Sequence, residues 1–380
     1  MRLLSIALLS LTFSFSAWGG YNIPKCDQVV FEYLTDTMFI DSVGGIAVVP
    51  INKNANSSPT DDIALWDLQS GKLIESVHLS NHQYGNAIKI IGFEDANTVL
   101  ILTWDQTSAY TGPSLIEYKI KERKENLRWN HSDKGFKVFD ISVSAMTALA
   151  GVGMYPYDWK VLDLKTGELL TLKDTSVVSS ERLVFTRDGK SLFGGITNSA
   201  NEDWHSFSLN IMRWNPQDLS ESNAVVGFNA NDFHLATNVE RYQNSIRDIQ
   251  AGIDGKSIYI SSQIASSDHS LIQNFLGYVD LNSGKKTTCP YSVNGVIDFE
   301  IVNSNENRLL VGDSSLGNYH PVFVNAKTCK VELLPQMDGF SEEKYPSRLR
   351  ATQVKNRSVL FNHQNVWDAQ TGKVLLKMCQ

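Results

Sequence analysis

The chain lacks most of the features that announce an activity. Its 380 residues hold four cysteines, none in a Cys-x-x-Cys pair, so neither a zinc ribbon nor a dithiol redox site is expected. It has no Gly-x-Ser-x-Gly elbow, no Gly-x-x-x-x-Gly-Lys loop and no His-Glu-x-x-His helix, which removes the usual signatures of serine hydrolases, P-loop nucleotide binders and zinc proteases. Lysine and arginine total 34 against 41 acidic residues, a net charge of -7, and no basic stripe runs along a helix or between aromatics. Nucleic acid is therefore not an expected partner. The one dense charge run, KIKERKENLR at residues 119–128, alternates in sign beside an expected hairpin turn and reads as solvated surface. Hydrophobic residues at 42% and charged residues at 20% leave an ordinary globular composition without low-complexity bias, able to build a packed core.

Long apolar runs are also missing, with one exception. MRLLSIALLSLTFSFSAWGG opens with Arg2, runs apolar from Leu3 to Ala17, and offers small residues at Ala17 and Gly19 for a signal peptidase. The expected division is a signal peptide at 1–19 and a mature domain at 20–380. The run is shorter than the ~20 residues of a membrane-spanning helix and no second candidate follows, so no transmembrane span is expected. Cys26 follows Ile23, Pro24 and Lys25 rather than the small residues of a lipid-attachment site. The mature protein is expected to be soluble and exported, periplasmic or secreted. All four cysteines, Cys26, Cys289, Cys329 and Cys379, lie beyond the signal, and an even count in an exported chain favours disulfides.

What the sequence does contain is repetition. LWDLQSGKL near residue 66 returns as VLDLKTGEL, YVDLNSGKK and VWDAQTGKV, with worn copies in FVNAKTCKV and RWNPQDLSE and a less regular one in EYKIKERKE. The aligned anchors are Asp67, Lys119, Asp163, Asn215, Asp280, Asn325 and Asp368, spaced by 43 to 65 residues, and steps in the forties suit a four-stranded propeller blade. Each motif reads as strand, turn, strand. β-Branched and apolar residues favour a pleated half-buried strand. The Asp or Asn can bond the backbone just ahead, and the Gly accepts a positive φ. Two further short apolar stretches stand upstream of each hairpin, such as IKIIGF and TVLILT, separated by turn formers. The unit is four antiparallel strands, which cannot bury both faces alone, and seven units must close a ring. The expected fold is all-β, a seven-bladed propeller. Three disulfide pairings are open. Ring closure brings the first and last blades together and so favours Cys26 with Cys379, leaving Cys289 and Cys329 in the outer hairpins of the fifth and sixth blades.

These motifs resemble those of WD-repeat and quinoprotein-like (YVTN-type) β-propellers, in an exported bacterial-type form, over nearly the whole mature chain. The resemblance implies the fold and leaves the function open, because propellers serve as enzymes, receptors and scaffolds. The Gly-His dipeptide of many WD repeats is absent, with Asn-His at His82 and His131 in a similar place. The tryptophan that ends the docking motif of quinoprotein dehydrogenases is replaced where VWDAQTGKV continues into Leu375, Leu376 and Lys377, which counts against a quinone cofactor. No cofactor is expected.

In such a blade, the connections from second to third strand and from one blade to the next emerge on one face, and the tight hairpins on the other. The long connections start near Asn52, Trp104, Thr197, Asn229, Gln263 and Gln336, and by strand order all fall on the same face. Long loops on a rigid scaffold are where binding usually resides. Trp104, Tyr110, Tyr155, Tyr157, Trp204, Phe233 and Tyr319 in or beside these loops, together with His205, His269 and His320, are the candidate binding residues, with Tyr242 and Phe275 in the same group of aromatics. Rigid aromatics give large contact area at low entropy cost, which suits a protein or another macromolecule. Seven of the eight histidines, including His82, His131, His234 and His363, map to this face, and only His78 falls within a strand. The first expectation is a non-enzymatic, monomeric binding or scaffold module of the cell envelope or the exterior. The rival is a lactonase-like, metal-assisted hydrolase at the axial mouth of the same face, built from these histidines with Asp105, Glu202, Asp203 and Asp268. No metal ligand set or catalytic residue is assigned.

Overall fold

The computed structural model describes residues 39–40, 45–51, 62–79, 86–105, 113–131, 136–142, 145–152, 158–171, 183–186, 190–197, 208–215, 218–229, 232, 242–252, 255–266, 272–291, 297–303, 307–313, 321–340, 349–354, 357–362 and 365–377. Seven four-stranded antiparallel sheets follow one another along the chain as the blades of a seven-bladed β-propeller. Blade 1 holds β1 (Phe39–Ile40), β2 (Ile46–Ile51), β3 (Asp62–Asp67) and β4 (Lys72–His78), and blade 2 holds β5 (Asn86–Asp95), β6 (Thr98–Asp105), β7 (Ser114–Lys119) and β8 (Lys124–Asn130). Blade 3 comprises β9 (Phe136–Ser142), β10 (Thr147–Val152), β11 (Asp158–Asp163) and β12 (Leu169–Thr171), and blade 4 comprises β13 (Leu183–Phe185), β14 (Leu192–Thr197), β15 (Ser208–Asn215) and β16 (Asp218–Asn229). Blade 5 runs through β17 (Tyr242–Ala251), β18 (Ser257–Ser266), β19 (Ile272–Asp280) and β20 (Lys286–Tyr291). Blade 6 follows with β21 (Ile297–Asn303), β22 (Arg308–Asp313), β23 (Val322–Asn325) and β24 (Lys330–Leu333), and blade 7 with β25 (Arg350–Val354), β26 (Arg357–Phe361), β27 (Asn365–Asp368) and β28 (Val374–Lys377).

Among the described residues every blade is made of four strands consecutive in sequence, and no strand is exchanged between the first and last blades. Side-chain packing closes the ring. Ala47, Val49, Ala64 and Trp66 of blade 1 share one core with Val359, Phe361, Val366 and Leu376 of blade 7. Six further cores fill the six other blade interfaces, from blades 1 and 2 round to blades 6 and 7. Successive side chains of a strand point to opposite faces, and β3 shows the result. Ile63 and Leu65 enter the core shared with blade 2, while Ala64 and Trp66 enter the core shared with blade 7. A strand buried on both faces reads as a continuous apolar run, which is why the motif strands are apolar without alternation. Each large side chain so buried contributes about 1.5–3 kcal/mol, and Trp66 and Trp367 are among the largest fully buried ones.

The repeated letters form one local device. Asp67 Oδ1 accepts the Gln69 and Ser70 N–H groups at 2.7 and 3.1 Å, and Asp163, Asp280, Asn325 and Asp368 cap their own turns in the same way. Four residues after the anchor, Gly71, Gly167, Gly284 and Gly372 hold φ of 67 to 78°, where a Cβ is disfavoured. Arg123 and Cys329 take that place in blades 2 and 6, with φ of 51 and 59°, so the irregular copy anchored at Lys119 has the same backbone path. Blade 4 departs from the rule: Asn215 pairs with Asp218, so the outer strand returns after two residues.

The outer strand of one blade, or the segment that follows it, then reaches the third strand, the third–fourth hairpin or the outer strand of the next. Tyr118 donates to Glu75 at 2.9 Å, Trp129 Nε1 to the Leu164 carbonyl at 2.9 Å, and Lys286 Nζ to the Gly227 carbonyl at 2.7 Å. Between blades 6 and 7, the Asp338 N–H donates to the Gly372 carbonyl at 3.2 Å and Trp367 Nε1 to the Asp338 carbonyl at 2.9 Å. Between blades 5 and 6 the link is covalent, a Cys289–Cys329 disulfide with Cα atoms 5.2 Å apart, as the ring argument expects. Cys26 and Cys379 lie outside the described residues.

Candidate functional site

Strand order makes the second-to-third and blade-to-blade connections leave from the strand ends opposite to the third–fourth hairpins, which span two to five residues. The described part of the long-loop end is polar. At the rim of blade 1, Asp62 opens β3 and His78 closes β4 as register partners, with His78 Nδ1 2.7 Å from Asp62 Oδ1. The Asp62 carboxylate is buried while the imidazole is more than half exposed, so the carboxylate fixes the ring at the rim. At blade 3, Lys160 pairs with Asp158 at 2.7 Å.

Between blades 4 and 5, Asp232 is the centre of a small knot. It accepts the Asn229 N–H at 2.8 Å and Lys286 Nζ at 2.6 Å, and its own carbonyl accepts the Thr288 hydroxyl. The connection after β16 is thereby tied at its root to β20. Nearer the axis, Gln250 on β17 donates to the Phe299 carbonyl of β21 at 2.8 Å and to Asp248 at 3.0 Å, and Arg350 on β25 pairs with Glu300 of β21 at 2.7 Å. Polar contacts between inner strands thus join blades 5, 6 and 7.

Of the candidate binding residues, Trp104 lies in the described part, one residue from the end of β6 and paired in register with Ala87, which puts it at the long-loop end of blade 2. Tyr110, Tyr155, Tyr157, Trp204, His205, Phe233, His269, Tyr319 and His320 lie outside the described residues, as do His82, His234 and His363. Two other assignments are corrected. Phe275, grouped with the loop aromatics, is 2% exposed and belongs to the core between blades 4 and 5, because β19 extends three residues upstream of it. His131 does not present itself to the long-loop face. Its Nε2 lies 2.6 Å from the Gly167 carbonyl in the third–fourth hairpin of blade 3, and its ring stands between Trp129 and Phe136. The residues that tie loops to the scaffold, Asp62 with His78 and Asp232 with Lys286, carry no local motif, since each pair spans 16 or 54 residues. Among the described residues no three His, Cys, Asp or Glu side chains come together in a metal-ligating group.

Fold and topology define the class, a seven-bladed β-propeller. No protein-family model matches the chain and no curated protein matches it. Among solved structures, an oligogalacturonate lyase in complex with manganese shares the fold at 10% identity and TM-score 0.50, over 76% of this chain and 75% of that one. The extracellular domain of a hybrid two-component system from B. thetaiotaomicron does so at 10% identity and TM-score 0.51, over 89% of this chain but 39% of that one. TolB from Acinetobacter baumannii aligns over 88% of this chain and 76% of its own at 13% identity, with a TM-score of 0.40. At these identities the likeness is one of fold alone. Among the described residues no helix is long and apolar enough to cross a membrane.

Proposed function

We propose that this chain is an exported β-propeller of the WD-repeat and quinoprotein-like kind, and that it works as a binding or scaffold module for a protein or other macromolecule held against the long-loop face. The observation that carries the reading is the asymmetry of the two ends. Seven packed interfaces hold the ring, and its motif end is built from short turns that repeat one design. In the sequence the long connections carry Trp104, Tyr110, Trp204, Phe233 and Tyr319. A rigid frame that positions variable, aromatic-rich loops is how scaffolds present binding surfaces. The inter-blade disulfide and the leader-like first residues support an exported setting.

The test is capture from native envelope material with three purified forms of the full chain: wild type, a Trp104→Ala/Tyr110→Ala/Trp204→Ala variant, and a Gln69→Ala/Gln370→Ala variant at the motif hairpins. A partner held by wild type and the hairpin variant, and lost by the loop variant, is the expected result. Identical capture by all three would refute the loop face. Stoichiometric divalent metal in the folded protein, with hydrolytic turnover of a lactone, would replace this reading by the metal-assisted hydrolase.

A further inference from the structure

One outer strand of the ring is left open. Among the described residues, every other outer strand holds buried or half-buried side chains, whereas all four residues of β24, Lys330–Leu333, are exposed. Leu333 at 84% and Val331 at 53% are the most exposed large hydrophobic side chains of the described residues. The outer strand β20 of blade 5 carries Pro290, which has no N–H to offer an added strand, and β24 has no such block. A bare strand edge is a template for a further strand.

The register says which backbone groups face outward. Asn325 accepts the Cys329 N–H at 2.8 Å on the hairpin side, while Ala326, the next residue, donates to the Asn307 carbonyl at 2.9 Å on the other side. Backbone groups of an antiparallel strand alternate in this way between its two neighbours, so Val324 and Val322 turn theirs to β22. Their register partners on β24 are Val331 and Leu333. These two therefore turn N–H and C=O to the open edge, and Glu332 turns its own inward.

Only a strand that pairs with Val331 or Leu333 can close this edge, and β24 itself fits. Two copies that pair edge to edge about a two-fold axis through the pairing run antiparallel. With the axis at Val331, the two Val331 residues exchange backbone bonds, and Lys330 of each copy stands opposite Glu332 of the other. With the axis at Glu332 two carboxylates would oppose each other, and with the axis at Leu333 neither charge meets its opposite. Lys330 lies 3.0 Å from Glu332 along the strand and holds its carboxyl below the usual range, so both groups are charged at neutral pH. Charge thus selects one of three registers. We propose that β24 pairs with β24 of a second copy about an axis at Val331, merging the two sixth blades into one continuous sheet. The dimer replaces the expected monomer and is independent of what the long loops hold.

Two short strands make a small interface, so the dimer is weak and is sought by sedimentation velocity of the full chain over about 10 to 500 µM. Wild type is expected to shift from monomer to dimer across that range. Lys330→Glu sets Glu opposite Glu at both pairs, and Glu332→Lys sets Lys opposite Lys, so each alone should dimerise at least about tenfold more weakly. An equimolar mixture of the two should recover wild-type association, because every pair is then Lys opposite Glu. Val331→Pro removes the outward N–H without touching the inner ladder, and it should stay monomeric and melt as wild type does. Should that variant fail to fold, the mixture alone decides. A wild type that is monomeric throughout would overturn the proposal and leave the edge to an extended segment of another protein. A dimer that survives Val331→Pro, or a mixture no stronger than its components, would overturn it by placing the interface elsewhere.

Discussion

Four glycines of this protein share a conformation and differ in surroundings, and substituting each by alanine isolates how hairpins are seated between blades. Gly284, Gly71, Gly167 and Gly372 all hold φ between 67 and 78°. Placing an L side chain in that region costs about 1–2 kcal/mol in every case. The added Cβ then meets nothing at Gly284 and only an ordinary 3.8 Å contact with the Leu375 carbonyl at Gly71. At Gly167 it comes within 3.0 Å of His131 Nε2 and Trp129 Cγ, side chains that can shift at a further cost of about 1 kcal/mol. At Gly372 it runs into the Gln336 backbone, 2.8 Å from the carbonyl carbon and closer still to the oxygen, with Met337 Cα at 3.3 Å. Main chain cannot step aside locally, so about 3 kcal/mol or more is added there. For 380 residues unfolding as one unit, the unfolding entropy is about 0.8 kcal/mol/K, so 1 kcal/mol moves the melting point by about 1.3 °C. The expected losses are about 1–2 °C for Gly284→Ala and Gly71→Ala, about 3 °C for Gly167→Ala and at least about 5 °C for Gly372→Ala. Differential scanning calorimetry reads this order directly. Four equal losses would mean that the hairpins are not lodged against their neighbours, and the account of blade packing would fail.

Removing the covalent link between blades 5 and 6 gives a second expectation. The disulfide closes a loop of sequence separation 40, worth about 4 kcal/mol in the chain-entropy model, so Cys289→Ser/Cys329→Ser should melt about 5 °C lower. Because Cys329 occupies the left-handed glycine position, Cys289→Ser/Cys329→Gly should recover about 1 kcal/mol of that loss, and a glycine form no more stable than the serine form would refute the point. The third concerns acid. Burial pushes the Asp368 carboxyl up, but Arg357 and the Thr371 N–H outweigh it and hold the group below the usual carboxylate range; Glu117 behaves likewise through Arg128 and Asn126. Groups with lowered folded-state pKa values stabilise fully above their unfolded values of about 4, and that stability is lost as pH falls through the folded values. Urea midpoints should therefore decline below about pH 4, and Arg357→Gln should shallow that decline; an unchanged acid limb in the variant would contradict the assignment.

The parts legible in the sequence are those that local chemistry decides. An Asp two and three residues before free N–H groups, followed by a glycine, closes its turn whatever surrounds it, so the anchors from Asp67 to Asp368 mark the hairpins and count the blades. Lys119 was the least regular anchor, yet Arg123 follows the same left-handed path because the pairing of β7 with β8 requires it. The pairing of Cys289 with Cys329 was reachable only as the remainder once ring closure assigned Cys26 to Cys379, two cysteines outside the described residues.

Tertiary structure decided the rest, for reasons of distance along the chain. That Phe275 is core, that His131 bonds the hairpin of blade 3, and that Asp232 is gripped by Lys286 54 residues away depend on how two blades face each other, and no local pattern records it. That the described strands close the ring without exchange was equally hidden, since the sequence repeats look the same whether or not a terminal strand crosses over. The sequence by itself determined a repeating turn, and with it the number and kind of units. Which side chains meet across the seven seams followed only once the packing of neighbouring blades brought together residues far apart in the chain.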